Sequence, residues 1–290
     1  MKKEKNIISN ILLIIASLLC LIPFIVVISV SLTDEATLNE FGYQIIPKSL
    51  SLDAYKYIFS DPEQIIRSYG VTIASTVVGT ALAVLVMAFL AYPLSRPDYK
   101  MKSAVSFYVF FTMLFSGGLV PSYMLITQYL HLKDTFWVLV LPGLVTPFHV
   151  ILFRTFFQQL PSELFDAAKI DGCSDIRMIF QIVLPLSKPV FATVALLGAL
   201  TRWNDWYTCL LYINDDNLIT LQYLLQRIMK NVELIKTQMA NMPIHMTQMD
   251  LPTESVRMAL AVVVSGPMLI VFPFFQKYFA KGLTVGAVKG

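Results

Sequence analysis

The chain has 290 residues, of which 56% are apolar and only 14% charged, and its mean hydropathy is +0.66. That profile excludes one or two ordinary water-soluble domains and belongs to a membrane protein. The net charge of +3 is small and the basic residues are scattered, which excludes the basic, aromatic-interleaved surface of a nucleic-acid binder.

Six apolar stretches follow in chain order. The first, Ile7 to Leu32, comes after Lys2, Lys3 and Lys5. At about 25 residues it is long for a secretory signal and sufficient to cross a bilayer. Cys20 follows Leu19, which is too large for a lipoprotein cleavage site, so the stretch reads as an uncleaved span. Thr33 to Tyr69 is more polar, with turns marked by Pro47 and Pro62. The second span, Gly70 to Leu94, is rich in small residues (Gly70, Ala74, Ser75, Gly79, Ala81) that permit close helix packing in lipid. The third, Ala104 to Ile126, carries Gly117-Gly118 and Pro121, which weaken or bend a helix. The fourth is Phe136 to Phe157, with Pro142 and Pro147. The fifth is Pro189 to Leu211, followed by a polar segment to about Ser255. The sixth is Val256 to Phe279, with Pro267 and Pro273.

Lys and Arg are denser in the segments that share a side with the N-terminus. The positive-inside rule then places both termini, and the polar stretch between the fourth and fifth spans, in the cytoplasm. The expected organisation is 1–69 for the N-terminal tail, first span and outer loop, 70–280 for a five-span core, and 281–290 for a C-terminal tail.

The polar stretch Pro161 to Leu186 is too charged for lipid and too well patterned for a slack loop. Ser162 is the expected N-cap of a short helix, with Glu163 and Asp166 near its positive end. Gly172 suits the left-handed residue that closes a helix, and Ser174-Asp175 restart the chain. Ile176, Ile179, Phe180, Val183 and Leu184 recur at helical spacing until Pro185 stops the run. Ala167, Ala168 and Gly172 are small enough for another backbone to approach, and Asp166 and Asp171 are able to meet cations. On these residues alone, a solvated loop between spans is an equal reading.

Pro161, Glu163-Leu164, Asp166-Ala167-Ala168, Asp171-Gly172 and Leu184-Pro185-Leu186 resemble the EAA loop of permease subunits of bacterial ABC importers. The resemblance implies an all-α, six-span type I importer permease. In it, 161–186 is a coupling helix docked on a separate ATPase subunit, with Glu163, Asp166, Ala167, Ala168, Asp171, Gly172 and Pro185 at the contact. One departure is that Asp166 stands where the family usually has Glu. The ending, Pro273-Phe274, Gln276-Lys277-Tyr278-Phe279, Lys281-Gly282 and Gly286 to Gly290, looks like that of carbohydrate-importer permeases. Phe115-Ser116-Gly117-Gly118 with Pro121 points to the oligosaccharide branch. The resemblance implies a second homologous permease, two ATPase subunits or domains, an extracellular solute-binding protein and a sugar substrate. ATP and Mg belong to the partners, and no cofactor to this chain.

Within the fifth span lies Arg202-Trp203-Asn204-Asp205-Trp206-Tyr207. Charges inside a span face a cavity or one another, and Arg202 and Asp205 share a helix face at the spacing of a pair. The aromatic residues have two readings: an interfacial belt, or a sugar pathway in which rings stack on C–H faces and polar groups take hydroxyls. The run resembles a Trp-Asn-Asp segment of carbohydrate permeases, which favours the pathway. Met239, Met242, Met246 and Met249, with His245, have three readings: adaptable packing, a soft-metal site, or a docking surface for a binding protein. Docking is favoured. His131, His149 and His245 sit beside no nucleophile or metal partner, and Cys20, Cys173 and Cys209 lack metal or redox spacing. The sequence contains no GxxxxGK[ST] phosphate loop, so hydrolysis of ATP falls to a partner and the chain is not an enzyme. The alternatives are an ion-coupled secondary transporter, or an ABC importer of a non-sugar solute.

Overall fold

The computed structural model describes residues 2–240 and 253–287. The fold is all-helical. Among the described residues the sole extended pairing is an isolated bridge between Thr33 and Leu50. The helices are α1 (Lys2–Ser31), α2 (Glu35–Phe41), α3 (Asp53–Ile58), α4 (Pro62–Ser95), α5 (Lys102–Leu114), α6 (Leu119–Met124), α7 (Pro147–Phe157), α8 (Ser162–Ile170), α9 (Asp175–Met178), α10 (Leu184–Leu186), α11 (Lys188–Trp203), α12 (Tyr207–Tyr212), α13 (Leu221–Ala240) and α14 (Glu254–Ala287).

Among the described residues, three stretches are long and apolar enough to cross a membrane as straight helices: Ser9–Ser31 in α1, all of α4, and Glu254–Pro273 in α14. Two more are bent pairs. α5 and the Leu119–Tyr129 helix meet at 114°, and Asp175–Leu186 meets α11 at 86°. The first bend sits at Phe115 to Gly118, where Gly118 takes a φ of +86°. Side chains of α1 such as Leu12, Leu18 and Phe24 stand exposed. In water that would be an aggregation surface, whereas in a bilayer it is lipid contact.

The fourth predicted span, Phe136 to Phe157, is not one helix. Phe136–Leu139 is a 3-10 turn, residues 140–146 are irregular, and α7 has 11 residues, too few to cross alone. Pro142 lacks a helical N–H, Gly143 turns left-handed at φ +74°, and Pro147 starts α7 at its first turn. The predicted loop Thr33 to Tyr69 holds α2, α3 and the first turns of α4, which begins at Pro62 rather than Gly70. The polar segment after the fifth span contains the 20-residue α13.

The chain divides into two compact units, Met1–Ile65 with Leu224–Leu269, and Ile66–Tyr223 with Ile270–Gly290. In the first, Val30, Leu38, Ala54, Ile58, Val232, Val256 and Leu260 are buried. Glu35 of α2 is buried too. It accepts hydrogen bonds from Thr253 Oγ1 (2.8 Å), Glu254 N (2.9 Å), Ser255 N (3.0 Å) and Ser255 Oγ (2.7 Å). A carboxylate from α2 thus serves the otherwise unpaired N–H groups at the start of α14. In the second unit the core gathers Met87, Ala91 and Tyr92 of α4, Val109 of α5, Val150, Phe153 and Phe157 of α7, Phe165 of α8, Met178, and Val190 and Val194 of α11.

Candidate functional site

The corner predicted at Pro161 to Leu186 is built from α8, a left-handed glycine and α9. Ser162 is the first helical residue, not the cap. Pro161 precedes it with extended ψ, and no side chain caps the end. At the other end the Cys173 N–H donates to Ala168 O at 2.9 Å and the Gly172 N–H to Lys169 O at 3.1 Å. This paired closure requires Gly172 in the left-handed region, and its φ is +73°. The chain restarts at Ser174, which caps α9 by accepting from Arg177 N at 3.4 Å.

Pro185 does not stop the second helix. A π turn over Ile179–Val183 precedes it, since proline offers no N–H to the carbonyl four residues back, and the chain bends two residues later, at Ser187.

Two residues of α8 point into the bundle, Phe165 and Ala168, three apart on one helix face. Phe165 is 1% exposed. Its ring lies 6.4 Å from that of Tyr92, and the Arg96 guanidinium sits 3.8 Å from its centroid. Lys169 Nζ reaches Asp98 Oδ2 at 2.8 Å across an exposed surface. That lysine hydrogen bond holds the Asp98 carboxyl below its usual range. α8 is therefore fastened to the end of α4 by one buried ring and one surface ion pair. Nothing in the sequence singled out Arg96 or Asp98 as partners of α8.

The opposite face carries Glu163, Leu164, Asp166, Ala167 and Ile170, with Asp171 and Gly172 at its end, all exposed. Ile170 is 87% exposed and Ile176 beyond the turn 66%. Of the seven residues singled out for coupling, Ala168 alone faces inward on this helix. Nothing lies within 4 Å of where a Gly172 Cβ would stand. The outer face is a small acidic platform with protruding isoleucines.

The Arg202 to Tyr207 run is not brought to one place. Arg202 and Asp205 do not pair with each other. Arg202 donates to the backbone carbonyls of Leu139 and Val140, and Asp205 accepts from Thr208 N at 3.0 Å in the first turn of α12. Trp203 is buried. Asn204 donates to Leu200 O at 2.8 Å and accepts from Gln222 Nε2 at 3.0 Å. Trp206 and Tyr207 meet edge to face at 5.7 Å.

Tyr207 alone of the six lines a cavity of about 760 Å³, shared with Ser116, Ser122, Leu125, Thr208 and Tyr212. Tyr123 stacks on Tyr212 at 5.6 Å. The bent third span thus contributes Ser116 and Ser122, whose signal in the sequence was the Gly117-Gly118 break. The side chains of the Met239–Met249 segment, and of the C-terminal run from Phe274 onward, lie outside the described residues.

Comparison with known proteins bears on both regions. The chain is 44% identical over 270 residues to Protein LplC of Bacillus subtilis (strain 168), covering 93% of this chain and 90% of that one. It is 41% identical over 278 residues to the polygalacturonan/rhamnogalacturonan transport system permease protein YtcP of the same organism, covering 96% of each. Among solved structures, a bacterial ABC transporter involved in the import of the acidic polysaccharide alginate matches with a TM-score of 0.79 and 28% identity, over 96% of this chain and 97% of that one. The family described as binding-protein-dependent transport system inner membrane component matches residues 2–285, and the chain belongs to that family.

Proposed function

We infer that this chain is a permease subunit of an ATP-driven importer that carries a sugar or oligosaccharide across the membrane. The relatives named above support the carbohydrate class, and membership of the family removes the ground for an ion-coupled secondary transporter. The chain is a permease and not an enzyme, with ATP and Mg on partner subunits.

The observation that carries the mechanism is the two-faced α8. Its inner face is locked to α4 through Phe165, while its outer face presents Glu163, Asp166, Ala167, Asp171 and Gly172 to solvent. In this reading the platform docks into a cleft on an ATPase subunit in the cytoplasm, and both termini share that side. Closure of two ATPase subunits displaces α8. The displacement passes through α9 and α10 into α11, and the bundle opens outward to a solute-binding protein. A second, homologous permease completes the pathway. Asp166 keeps the charge usual at its position but reaches one methylene less, so its contact with the ATPase subunit is longer or differently aimed. On the opposite side, Tyr207 and Tyr212 offer ring faces and hydroxyls to a sugar, and Ser116 and Ser122 offer hydroxyls alone.

The test is vectorial. In a background with Cys20, Cys173 and Cys209 replaced by Ser, Ala167→Cys is labelled with an impermeant maleimide in right-side-out and inside-out vesicles. Labelling from the inner side, and crosslinking to the co-expressed ATPase, are expected. Labelling from the outer side alone overturns the reading.

A further inference from the structure

The charge at the far end of α11 meets backbone, not open space. Arg202 Nη1 donates to Leu139 O at 3.2 Å and to Val140 O at 3.1 Å, and Nη2 reaches Gly143 O at 3.4 Å. Leu139 ends the 3-10 turn, and Val140 and Gly143 lie in the irregular stretch that follows it. Carbonyls freed by a helix break at membrane depth need another donor, because lipid supplies none. The guanidinium fork serves several acceptors at once in a fixed plane, which a lysine ammonium does not. Room for it is provided by α4. A Cβ at Gly79 would stand 2.6 Å from Arg202 Nη1, 2.8 Å from Cζ and 2.9 Å from Nε. The guanidinium cannot simply swing aside, since doing so forfeits its carbonyls.

We propose that Arg202 is a positioning residue rather than a sugar ligand: a pin that ties the end of α11 to the interrupted segment 139–143 against Gly79 of α4. α11 starts directly after the coupling corner, and Arg202 lies roughly 20 Å along its axis at 1.5 Å per residue. Through this pin the tilt that enters α11 at one membrane face carries the broken segment with it at the other. The inference rests on the importer reading.

The assembled importer, with its second permease, ATPase and binding protein, is reconstituted in liposomes, and ATP-driven uptake of a labelled oligosaccharide is followed. Arg202→Ala, Arg202→Lys and Gly79→Ala are each expected to lower the maximal rate by about tenfold with KM within about twofold, the mark of lost positioning rather than lost sugar binding. Gly79→Ala touches no sugar, so its likeness to Arg202→Ala is itself diagnostic. The double variant Gly79→Ala/Arg202→Ala is expected to be no worse than Arg202→Ala, because the clash disappears with the guanidinium. If Gly79→Ala fails to assemble, recovery of assembly in the double variant supports the pin, and failure to recover counts against it. A raised KM in the Arg202 variants alone, or additive losses in the double variant, overturns it. A wild-type complex that takes up no sugar with ATP overturns the importer reading and the pin together.

Discussion

The Arg96 guanidinium lies 3.8 Å from the ring centroid of Phe165, which is buried on the inner face of α8. Arg96 follows the last residue of α4, and Phe165 sits in the middle of α8. The contact fastens the end of a membrane span to the inner face of the corner. The neighbouring Asp98–Lys169 pair does the same at the surface, where both side chains are about half exposed.

The two fastenings differ in strength, and that difference is measurable. Truncating a buried Phe costs about 3–5 kcal/mol, whereas an exposed ion pair contributes about 0–1 kcal/mol. Phe165→Ala is therefore expected to abolish uptake while ATP hydrolysis persists uncoupled. Lys169→Ala is expected to retain uptake within about twofold, and less difference still at high salt. Equal losses in the two variants, measured as uptake per ATP hydrolysed, would contradict the assignment of Phe165 as the main anchor.

Gly172 gives a cleaner test because space and strain are separated there. Its surroundings are open, but its φ of +73° closes α8. Left-handed backbone costs an ordinary L residue about 1–2 kcal/mol, and Asn tolerates it best. Gly172→Asn is expected to keep uptake within about twofold, while Gly172→Val strains the corner by about 1–2 kcal/mol or more and uncouples hydrolysis from uptake. Insertion and assembly, read by co-purification of the complex, stay intact in both. A fully active Gly172→Val would show that the corner does not transmit.

Local chemistry explains what was readable beforehand. Gly172 acts through its backbone conformation and Ser174 through a hydroxyl that reaches an N–H three residues on, so both roles are local and were visible in sequence. α1 and α4 were legible because long apolar runs have one outcome in lipid. The break in Phe136 to Phe157 was not, because Pro142, Gly143 and Pro147 sit among Leu and Val and leave the hydropathy high. α13 was hidden for the opposite reason, since its polar face brings the segment's average down to that of a loop. The partners of Arg202 are carbonyls, which every residue possesses, so the sequence pointed to Asp205 instead.

Tyr207 and Tyr212 allow the pathway reading to be separated from the interfacial-belt reading. Both line the cavity that also holds Ser116 and Ser122. If sugar rings stack there, Tyr207→Ala is expected to raise the KM for uptake by about fivefold to a hundredfold, corresponding to the 1–3 kcal/mol typical of an aromatic stacking contact, while Tyr207→Phe changes it little. A belt role predicts the reverse pattern: KM unchanged, and lower yield of inserted protein with either variant lacking an interfacial hydroxyl.

The clamp on α14 supplies a pH-dependent prediction. Glu35 accepts from Thr253, Glu254 and Ser255, while Tyr43 Oη donates to Glu254 Oε2 at 2.8 Å and Arg257 meets the same carboxylate at 3.3 Å. Burial alone raises the Glu35 pKa, but the Glu254 N–H, the Ser255 hydroxyl and N–H, and the Thr253 hydroxyl outweigh it, and the net value falls below the ordinary 4.5. A carboxylate with a depressed folded pKa stabilises above its unfolded pKa, and the contribution is lost as pH falls through the folded value. The clamp is thus at full strength throughout neutral pH. Glu35→Gln keeps the shape but turns an amide N–H₂ toward donors, and is expected to cost about 1–3 kcal/mol. The measurement is the melting temperature of the detergent-purified importer, wild type against Glu35→Gln, across pH. The gap is expected to be constant between about pH 6 and 8, to begin narrowing only once pH falls below the ordinary carboxylate range, and to close as pH falls through the lowered folded value. A gap that widens on acidification, or that varies across neutral pH, would mean that another group, not the Glu35 carboxylate, holds the start of α14.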